Sequence, residues 1–206
     1  MKPIALLLFL LSMPLTLPAA KLLNGNLDNW EVIGDGIWMV LRDGVLVGQR
    51  DPKKAEHQSW LYTKKNDYGE FDLHLEYWTK TSGNSGVSIR DTSRAKWGVI
   101  TPPDYKRTPS KIGYEIQINN RFPDPHPSGS IYGFMDAPKD SQRVDDWNSM
   151  DISSRNDKIT IKLNGKVVAE HAGDPQRSKT GPIGLQLHDQ FSIIMFRNVR
   201  IQEVGH

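Results

Sequence analysis

Cysteine is absent from this 206-residue chain. Its absence excludes disulfide bonds, thiolate chemistry and a lipid anchor on an N-terminal cysteine. If the domain is exported, the absence of disulfides fits a bacterial periplasm better than the cell exterior, where small domains are commonly stabilised by disulfide bonds.

A surplus of charge of one sign is also missing. The 26 lysines and arginines nearly balance the 24 aspartates and glutamates, and they are spread along the chain. This distribution excludes the basic patches that bind nucleic acid and the polybasic clusters that bind membranes. The chain also lacks an HExxH sequence, a calcium loop, a P-loop and a dinucleotide fingerprint. We therefore expect no cofactor, although a divalent metal held by scattered ligands stays open.

Long apolar runs are restricted to the N-terminus. Lys2 precedes an apolar stretch over Ile4–Leu11, and two alanines precede Lys21. This pattern is typical of a secretory signal peptide, and the run is too short for a transmembrane helix, which needs about 20 residues. We predict a signal peptide over residues 1–20 and a periplasmic or secreted protein without a membrane anchor. A hydrophobic first strand of the domain is the alternative.

Residues 21–206 are enough for one domain with a substantial core. Helical periodicity is scarce in them, and apolar residues instead alternate with polar ones between turn residues, as in short β-strands. The predicted strands are Trp38–Leu41, Val45–Gly48, Trp60–Thr63, Phe71–Trp78, Gly86–Arg90, Tyr114–Ile118, Gly129–Tyr132, Met150–Ser154, Lys158–Leu163, Lys166–Glu170, Gly184–His188, Ile193–Arg197 and Val199–Glu203. Asn164-Gly165 predicts a type I′ hairpin turn. This pattern predicts an all-β fold, a two-sheet antiparallel sandwich or jelly roll.

Two of these strands concentrate polar residues on one face, because successive side chains of a strand point to opposite faces. They read NSGVSIR over residues 84–90 and GYEIQIN over residues 113–119. The predicted polar faces carry Asn84, Ser88 and Arg90 on the first strand and Glu115, Gln117 and Asn119 on the second. Such a surface can hold a hydroxyl-rich ligand.

Two long segments lack any periodicity. Asp91–Lys111 contains Trp97, and Arg121–Ser128 contains three prolines and His126. Loops of this length in a small domain are usually functional or disordered, and their aromatics and prolines favour ordered walls of a site. We predict that Trp97, which lies in a long polar loop, stacks on the ligand, and Trp147 is the second candidate for this role.

The chain resembles a known family in an ordered set of short pieces. They are LLNGNLDNW (22–30), DGVLVG (43–48), WLYTKKNDYGEFDLHLEYW (60–78), GNSGVSIR (83–90), GYEIQI (113–118), GSIYGF (129–134), DWN (146–148), LNGKVV (163–168), GPIGLQLH (181–188) and FRNVRI (196–201). This set resembles the 3-keto-disaccharide hydrolase domain, whose fold is similar to concanavalin A-like lectins and glucanases. The resemblance implies a carbohydrate ligand and cleavage or hydration of sugars oxidised at C3. Asp189 and Arg121–Pro123 depart from the family pattern, which affects substrate choice.

Ordinary glycoside hydrolysis requires two carboxyl groups flanking the scissile bond. Here Glu115 is followed on its face by Gln117 and Asn119, whose amides bind sugars but cannot act as acid or nucleophile. Glu76 or Asp91 could supply a second carboxylate from elsewhere, although no spacing requires it. The pattern therefore argues against a copy of glucanase chemistry.

The 3-keto sugar implied by the resemblance opens another route. The ketone acidifies the hydrogen on C2, so one base, one cation at the developing oxyanion and one proton donor suffice. We predict Glu115 as base, Arg90 as cation and His188 as acid or base. The predicted sugar-binding residues are Gln117, Asn84, Gln186, Trp97, Trp147 and His126, the last also a candidate acid or metal ligand.

Two other functions stay open. A sugar-binding module without catalysis needs only amides and aromatics, and a conventional glycosidase needs a carboxylate facing Glu115. A plain structural alternative makes Glu115 and Arg90 an ion pair on a solvated face, with His188 a structural residue. Convergence of Glu115, Arg90 and His188 on one surface favours the enzyme.

Overall fold

Short alternating segments form strands throughout the computed structural model, which describes residues 18–51, 53, 57–119 and 125–204. In chain order the elements are β1 (Ala20–Lys21), β2 (Trp30–Ile33), β3 (Ile37–Val40), β4 (Leu46–Gln49), β5 (Ser59–Thr63), β6 (Phe71–Thr79), β7 (Asn84–Ile89), α1 (Pro109–Ile112), β8 (Tyr114–Asn119), β9 (Asn148–Arg155), β10 (Lys158–Leu163), β11 (Lys166–His171), β12 (Ile183–Leu187) and β13 (Ile193–Glu203).

The strands make two antiparallel sheets. Within the described residues, the large sheet has the order β11-β10-β9-β6-β13-β4-β3, with β1 paired to β13, and the small sheet has the order β2-β5-β12-β7-β8. The sheets share one apolar core, which contains residues from both. The predicted all-β sandwich, of the concanavalin A-like type, is confirmed.

The large sheet follows the alternation rule closely. Along β6, Phe71, Leu73, Leu75 and Tyr77 are at most 1% exposed, and the residues between them are half-buried. Burial of such side chains contributes roughly 1.5–3 kcal/mol each relative to exposure. The large sheet therefore packs its apolar face on the core and keeps a polar outer face.

Four strands of the small sheet are buried on both faces, whereas β2 has exposed residues. Every residue of β5, β7, β8 and β12 is buried. Part of the cover comes from the segment after β7, because Ala95 and Val99 pack against Trp60 and Tyr62. The prediction that residues 91–111 form an ordered wall agrees with this packing.

Predicted strands differ from the structure in a few places. Gly129–Tyr132 is no regular strand, because it turns back at once and makes only isolated bridges, Ile116 to Ile131 and Ile131 to Met135. The two predicted strands after residue 192 are one strand, β13, with a register shift between Arg197 and Arg200. The short strands β1 and β2 lacked enough alternation to be predicted.

The predicted hairpin turn between β10 and β11 is confirmed. Asn164 and Gly165 have φ angles of 52° and 81°, as a type I′ turn requires at both central positions. Most of the predicted signal peptide, residues 1–17, lies outside the described residues. Among the described residues, no helix is long and apolar enough to cross a membrane.

Candidate functional site

Strand pairing in the small sheet places the polar residues of β7 and β8 opposite one another. Ser88 of β7 lies opposite Glu115 of β8, Gly86 lies opposite Gln117, and Asn84 lies opposite Asn119. These side chains point away from the core, because Val87 and Ile116 between them face it. The predicted grouping of Asn84, Glu115 and Gln117 on one face therefore agrees with the structure.

Glu115 belongs to β8, the edge strand of the small sheet, and is 6% exposed. Its side chain leans over Gly86, where a β-carbon would lie only 2.8 Å from Oε1. Burial raises the pKa of the Glu115 carboxyl to about 8, the neighbouring Gln186 amide opposes the rise, and the negative charge of Asp91 adds to it. Glu115 is thus a carboxyl group poised to exchange a proton near neutral pH.

Gln186 on β12 presents an amide to this carboxyl group. The residue is fully buried, and neither Nε2 nor Oε1 has a well-formed hydrogen bond to any described residue. Its influence on the pKa of Glu115 shows that the two groups are close. The Gln186 amide therefore lies beside the Glu115 carboxyl group, and amides of this kind can bind sugar hydroxyls.

Gln117 and Asn84 form a second polar pair beside Glu115. Gln117 Nε2 donates to Asn84 Oδ1 over 3.3 Å, and both residues are buried. Their remaining donor and acceptor positions suit sugar hydroxyls. The structure brings these two predicted sugar-binding residues together.

Asp91 is a second carboxylate on this side of the small sheet. It is fully buried and accepts hydrogen bonds from the Tyr62 hydroxyl (2.7 Å), the Ser93 amide (3.0 Å) and hydroxyl (2.6 Å), and the Ala95 amide (2.7 Å). Tyr62 Oη also lies 3.2 Å from Ser88 Oγ. Since one hydroxyl donates only one proton, Tyr62 donates to Asp91 and accepts from Ser88. Asp91 is fully occupied in holding Tyr62 and the following loop.

His188 follows the last residue of β12 on the same face as Gln186. Its side chain is 38% exposed, and Nδ1 lies 3.4 Å from Asp189 Oδ2. Two strand residues span about 7 Å, so His188 lies one row beyond Gln186. Its side-chain contact is with Asp189, and the register places it two rows from Glu115.

His126 flanks the face on the outer side of β8. Its Nδ1 lies 2.5 Å from Asp136 Oδ1, and its ring centroid lies 4.4 Å from that of Tyr132. The Tyr132 amide donates to the Glu115 carbonyl oxygen over 2.9 Å, which fixes this segment beside the Glu115 strand. The structure therefore places His126 at the border of the candidate site.

Arg90 is on the wrong side for its predicted role. Its φ of 59° ends β7 and breaks the alternation. The side chain is 2% exposed and lies between the sheets, where Nη1 donates to Asp157 Oδ1 (2.9 Å) and Nη2 to Ser154 Oγ (2.8 Å). Ser154 belongs to β9 of the large sheet. The prediction that Arg90 shares a face with Glu115 is wrong, because the residue links the two sheets instead.

The two predicted stacking tryptophans lie in different places. Trp97 is half-buried in the segment after β7, and its ring already contacts Arg107, whose guanidinium carbon is 3.5 Å from the ring centroid. Trp147 directly precedes β9, and its ring contacts Arg197 of the large sheet at 4.0 Å. The placement of Trp147 beside the Glu115 site is therefore corrected: it lies across the sandwich.

Several residues of the site escaped sequence reasoning. Tyr62 reaches the face only through strand pairing that a single sequence does not reveal. Gly86 gave one usable signal, because glycine inside a strand often marks a close approach by another group. In the described part of the chain, no cluster of three or more His, Asp or Glu side chains could hold a metal ion.

Comparison with known proteins identifies the family. A model of the 3-keto-alpha-glucoside-1,2-lyase-like domain matches residues 18–202. The chain belongs to this family. The resemblance seen in the ordered sequence pieces is thereby confirmed over almost the whole chain. A search of curated proteins found no match.

Solved structures share the fold. A protein from Parabacteroides distasonis, provisionally named as a glycosyl hydrolase, has 26% identity and a TM-score of 0.71, with 90% of this chain and 99% of that chain covered. The carbohydrate-binding module CBM66 from Bacillus subtilis has 15% identity and a TM-score of 0.51 over 83% and 93% of the chains. A Lotus tetragonolobus seed lectin has 11% identity and a TM-score of 0.56 over 87% and 95%.

Proposed function

We propose that the protein is a carbohydrate-active enzyme that cleaves or hydrates 3-keto-glycosides, with Glu115 as the group that removes the C2 proton. The observation that carries the proposal is the buried Glu115 carboxyl group beside the buried Gln186 amide. The family, and the provisional name of the Parabacteroides relative, support sugar cleavage as the reaction class.

The chemistry follows from the ketone. Glu115 accepts the C2 proton, the C–H electron pair forms an enolate, and the bond between C1 and the glycosidic oxygen breaks while that oxygen takes up a proton. Water then adds across the double bond, with hydroxyl to C1 and hydrogen to C2. A base works best when its pKa is near the operating pH, and the pKa of about 8 at Glu115 meets that condition.

The partners of Glu115 differ from those expected from the sequence. Because Arg90 lies between the sheets, the developing oxyanion needs another donor. Gln186 Nε2 is suited to this role, since it is buried and its amide lies beside the Glu115 carboxyl group. His188, partly exposed on the same face, is suited to protonate the leaving oxygen.

A conventional glycosidase is less well supported. That mechanism needs a second free carboxyl group, whereas four donors occupy the Asp91 carboxylate. Chemistry at an activated C2 requires only one carboxylate, which Glu115 supplies.

The deciding experiment uses a 3-keto-disaccharide and its unoxidised parent in D₂O. We expect release of sugar from the keto form alone, with deuterium at C2 of the product, and loss of both in Glu115→Gln. Cleavage of the parent without deuterium at C2 would establish a conventional glycosidase. Binding of both sugars without cleavage would establish a sugar-binding module.

Export is part of the proposal, because residues 1–20 have the composition of a signal peptide. N-terminal sequencing of protein from the periplasm or medium should find a start near Lys21. An intact Met1 in that fraction would contradict it.

A further inference from the structure

A groove of about 580 Å³ lies on the outer face of the large sheet. Glu76 of β6 lines it, and its neighbours Leu75 and Tyr77 face the core. Glu76 therefore points away from the small sheet. The groove is separate from the candidate site around Glu115, on the opposite side of the sandwich.

Trp147 forms one wall of this groove and is fixed by an ion pair. The guanidinium carbon of Arg197 lies 4.0 Å from the Trp147 ring centroid. Arg197 Nε and Nη2 each lie 2.7 Å from Glu76 Oε2, and Asn198 Nδ2 donates to Glu76 Oε1 over 2.6 Å. The indole is thus supported by a planar group that cannot easily move away.

A buried asparagine holds the loop that carries Trp147. Asn148 is 1% exposed. Its Nδ2 donates to the carbonyl oxygens of Arg143 (2.9 Å) and Asp146 (3.0 Å), and its Oδ1 accepts from the Arg143 amide (2.7 Å) and from Asn164 Nδ2 (2.9 Å). The loop is therefore ordered before any ligand arrives, which reduces the entropy cost of binding.

The charges in the groove balance. Arg197 neutralises Glu76, and the exposed Arg143 and Asp146 carry opposite charges without an ion-pair partner among the described residues. A groove for phosphate would need a positive surplus. A balanced set of donors and acceptors beside an aromatic ring instead suits a neutral ligand with many hydroxyl groups, each of which both donates and accepts.

We propose that this groove is a second carbohydrate site, which binds a neutral oligosaccharide or polysaccharide chain. Trp147 stacks on a sugar ring, and Arg143 and Asp146 bond its hydroxyls. The site does not depend on the reaction assigned to Glu115. It would hold a glycan chain on one side of the protein while the other side acts on a small 3-keto-glycoside.

Affinity electrophoresis tests the site, with gels that contain a soluble β-glucan, α-glucan or xylan. We expect wild-type protein and Glu115→Gln to be retarded equally in at least one gel, and Trp147→Ala to lose at least ten-fold in affinity. Because Trp147 lies across the sandwich, its variant should still cleave the soluble 3-keto-disaccharide at the wild-type rate. Equal retardation of Trp147→Ala, loss of retardation in Glu115→Gln, or no retardation in any gel would each overturn the proposal.

A second measurement covers the case in which Trp147→Ala folds poorly. In ¹⁵N-labelled wild-type protein, the indole N–H signal that disappears in Trp147→Phe belongs to Trp147. We expect this signal to shift on addition of a tetrasaccharide of the glycan that retards the protein. A shift confined to other tryptophan signals would place the binding elsewhere and overturn the proposal.

Discussion

The carboxyl group of Glu115 lies over Gly86 of the neighbouring strand. A β-carbon at residue 86 would lie 2.8 Å from Oε1 and 3.1 Å from Cγ of Glu115. The register places Gly86 opposite Gln117, so the Glu115 side chain leans over the next pair of residues in the ladder. The absence of a side chain at position 86 therefore sets the position of the candidate base.

Gly86→Ala should displace Glu115 without unfolding the protein. The clashing atoms belong to a side chain that can rotate, so we expect a stability loss of only about 1–2 kcal/mol. A displaced base loses its alignment with the substrate, and a misplacement of about 1 Å can cost 10²-fold in rate. Steady-state kinetics on a 3-keto-disaccharide measures the effect.

Gly69→Ala is the matched control for this substitution. A β-carbon at residue 69 meets only Thr180 Cγ2 at 3.5 Å, an ordinary contact. We expect wild-type activity and stability in this variant. Full activity in Gly86→Ala would mean that the position of Glu115 is not important for catalysis.

Glu115 should make the stability of the fold depend on pH. Its pKa rises from 4.5 to about 8 on folding, so the native state binds more protons than the unfolded state between these values, and stability falls as pH rises through this window. Glu115→Gln removes the dependence. As pH rises from 5 to 9, the free energy of unfolding of the variant should increase relative to that of wild type by on the order of a few kcal/mol. Urea unfolding of both proteins across this range measures it, and a constant difference would contradict the raised pKa.

The fold and half of the candidate site follow from local patterns. Alternation predicted most strands and the pairing of Glu115, Gln117 and Asn84 on one face, because the period of a strand is fixed by its backbone. The short strands β1 and β2 and the irregular segment around Ile131 carry too few alternating residues to be distinguished from loops.

The rest depends on contacts distant in sequence. Arg90 was expected beside Glu115 because the alternation continues through it in the sequence, but a positive φ at this residue turns its side chain toward the large sheet. Tyr62 enters the site through its bonds to Ser88 and Asp91, 26 and 29 residues away. The periodicity of a single sequence cannot predict such contacts between residues that are distant in the chain.

Asp91→Asn should lower the pKa of Glu115. The charge of Asp91 helps to raise that pKa, and the substitution removes the charge at nearly constant volume. If Glu115 is the base, kcat/KM for the 3-keto substrate rises with pH as the carboxyl group loses its proton, and the midpoint of this rise should move to lower pH in the variant. Asp104→Asn, a change in the same loop at a half-buried residue, should leave the midpoint in place. An unchanged midpoint in Asp91→Asn would contradict the electrostatic coupling.

Arg90→Met should test the structural role that replaces the predicted catalytic one. The substitution keeps an unbranched side chain but removes the bonds to Asp157 and Ser154 across the core edge. Loss of one partner from a buried pair is strongly destabilising. We expect the free energy of unfolding to fall by about 2–4 kcal/mol, measured by chemical denaturation. The loss is limited because Asp157 still pairs with Lys179. The control Arg200→Met changes an exposed residue of the large sheet, and its free energy of unfolding should stay within about 0.5 kcal/mol of the wild-type value. The folded Arg90→Met protein should keep its activity at low temperature, because the guanidinium group lies away from Glu115. A variant that is stable but inactive would return Arg90 to the catalytic site.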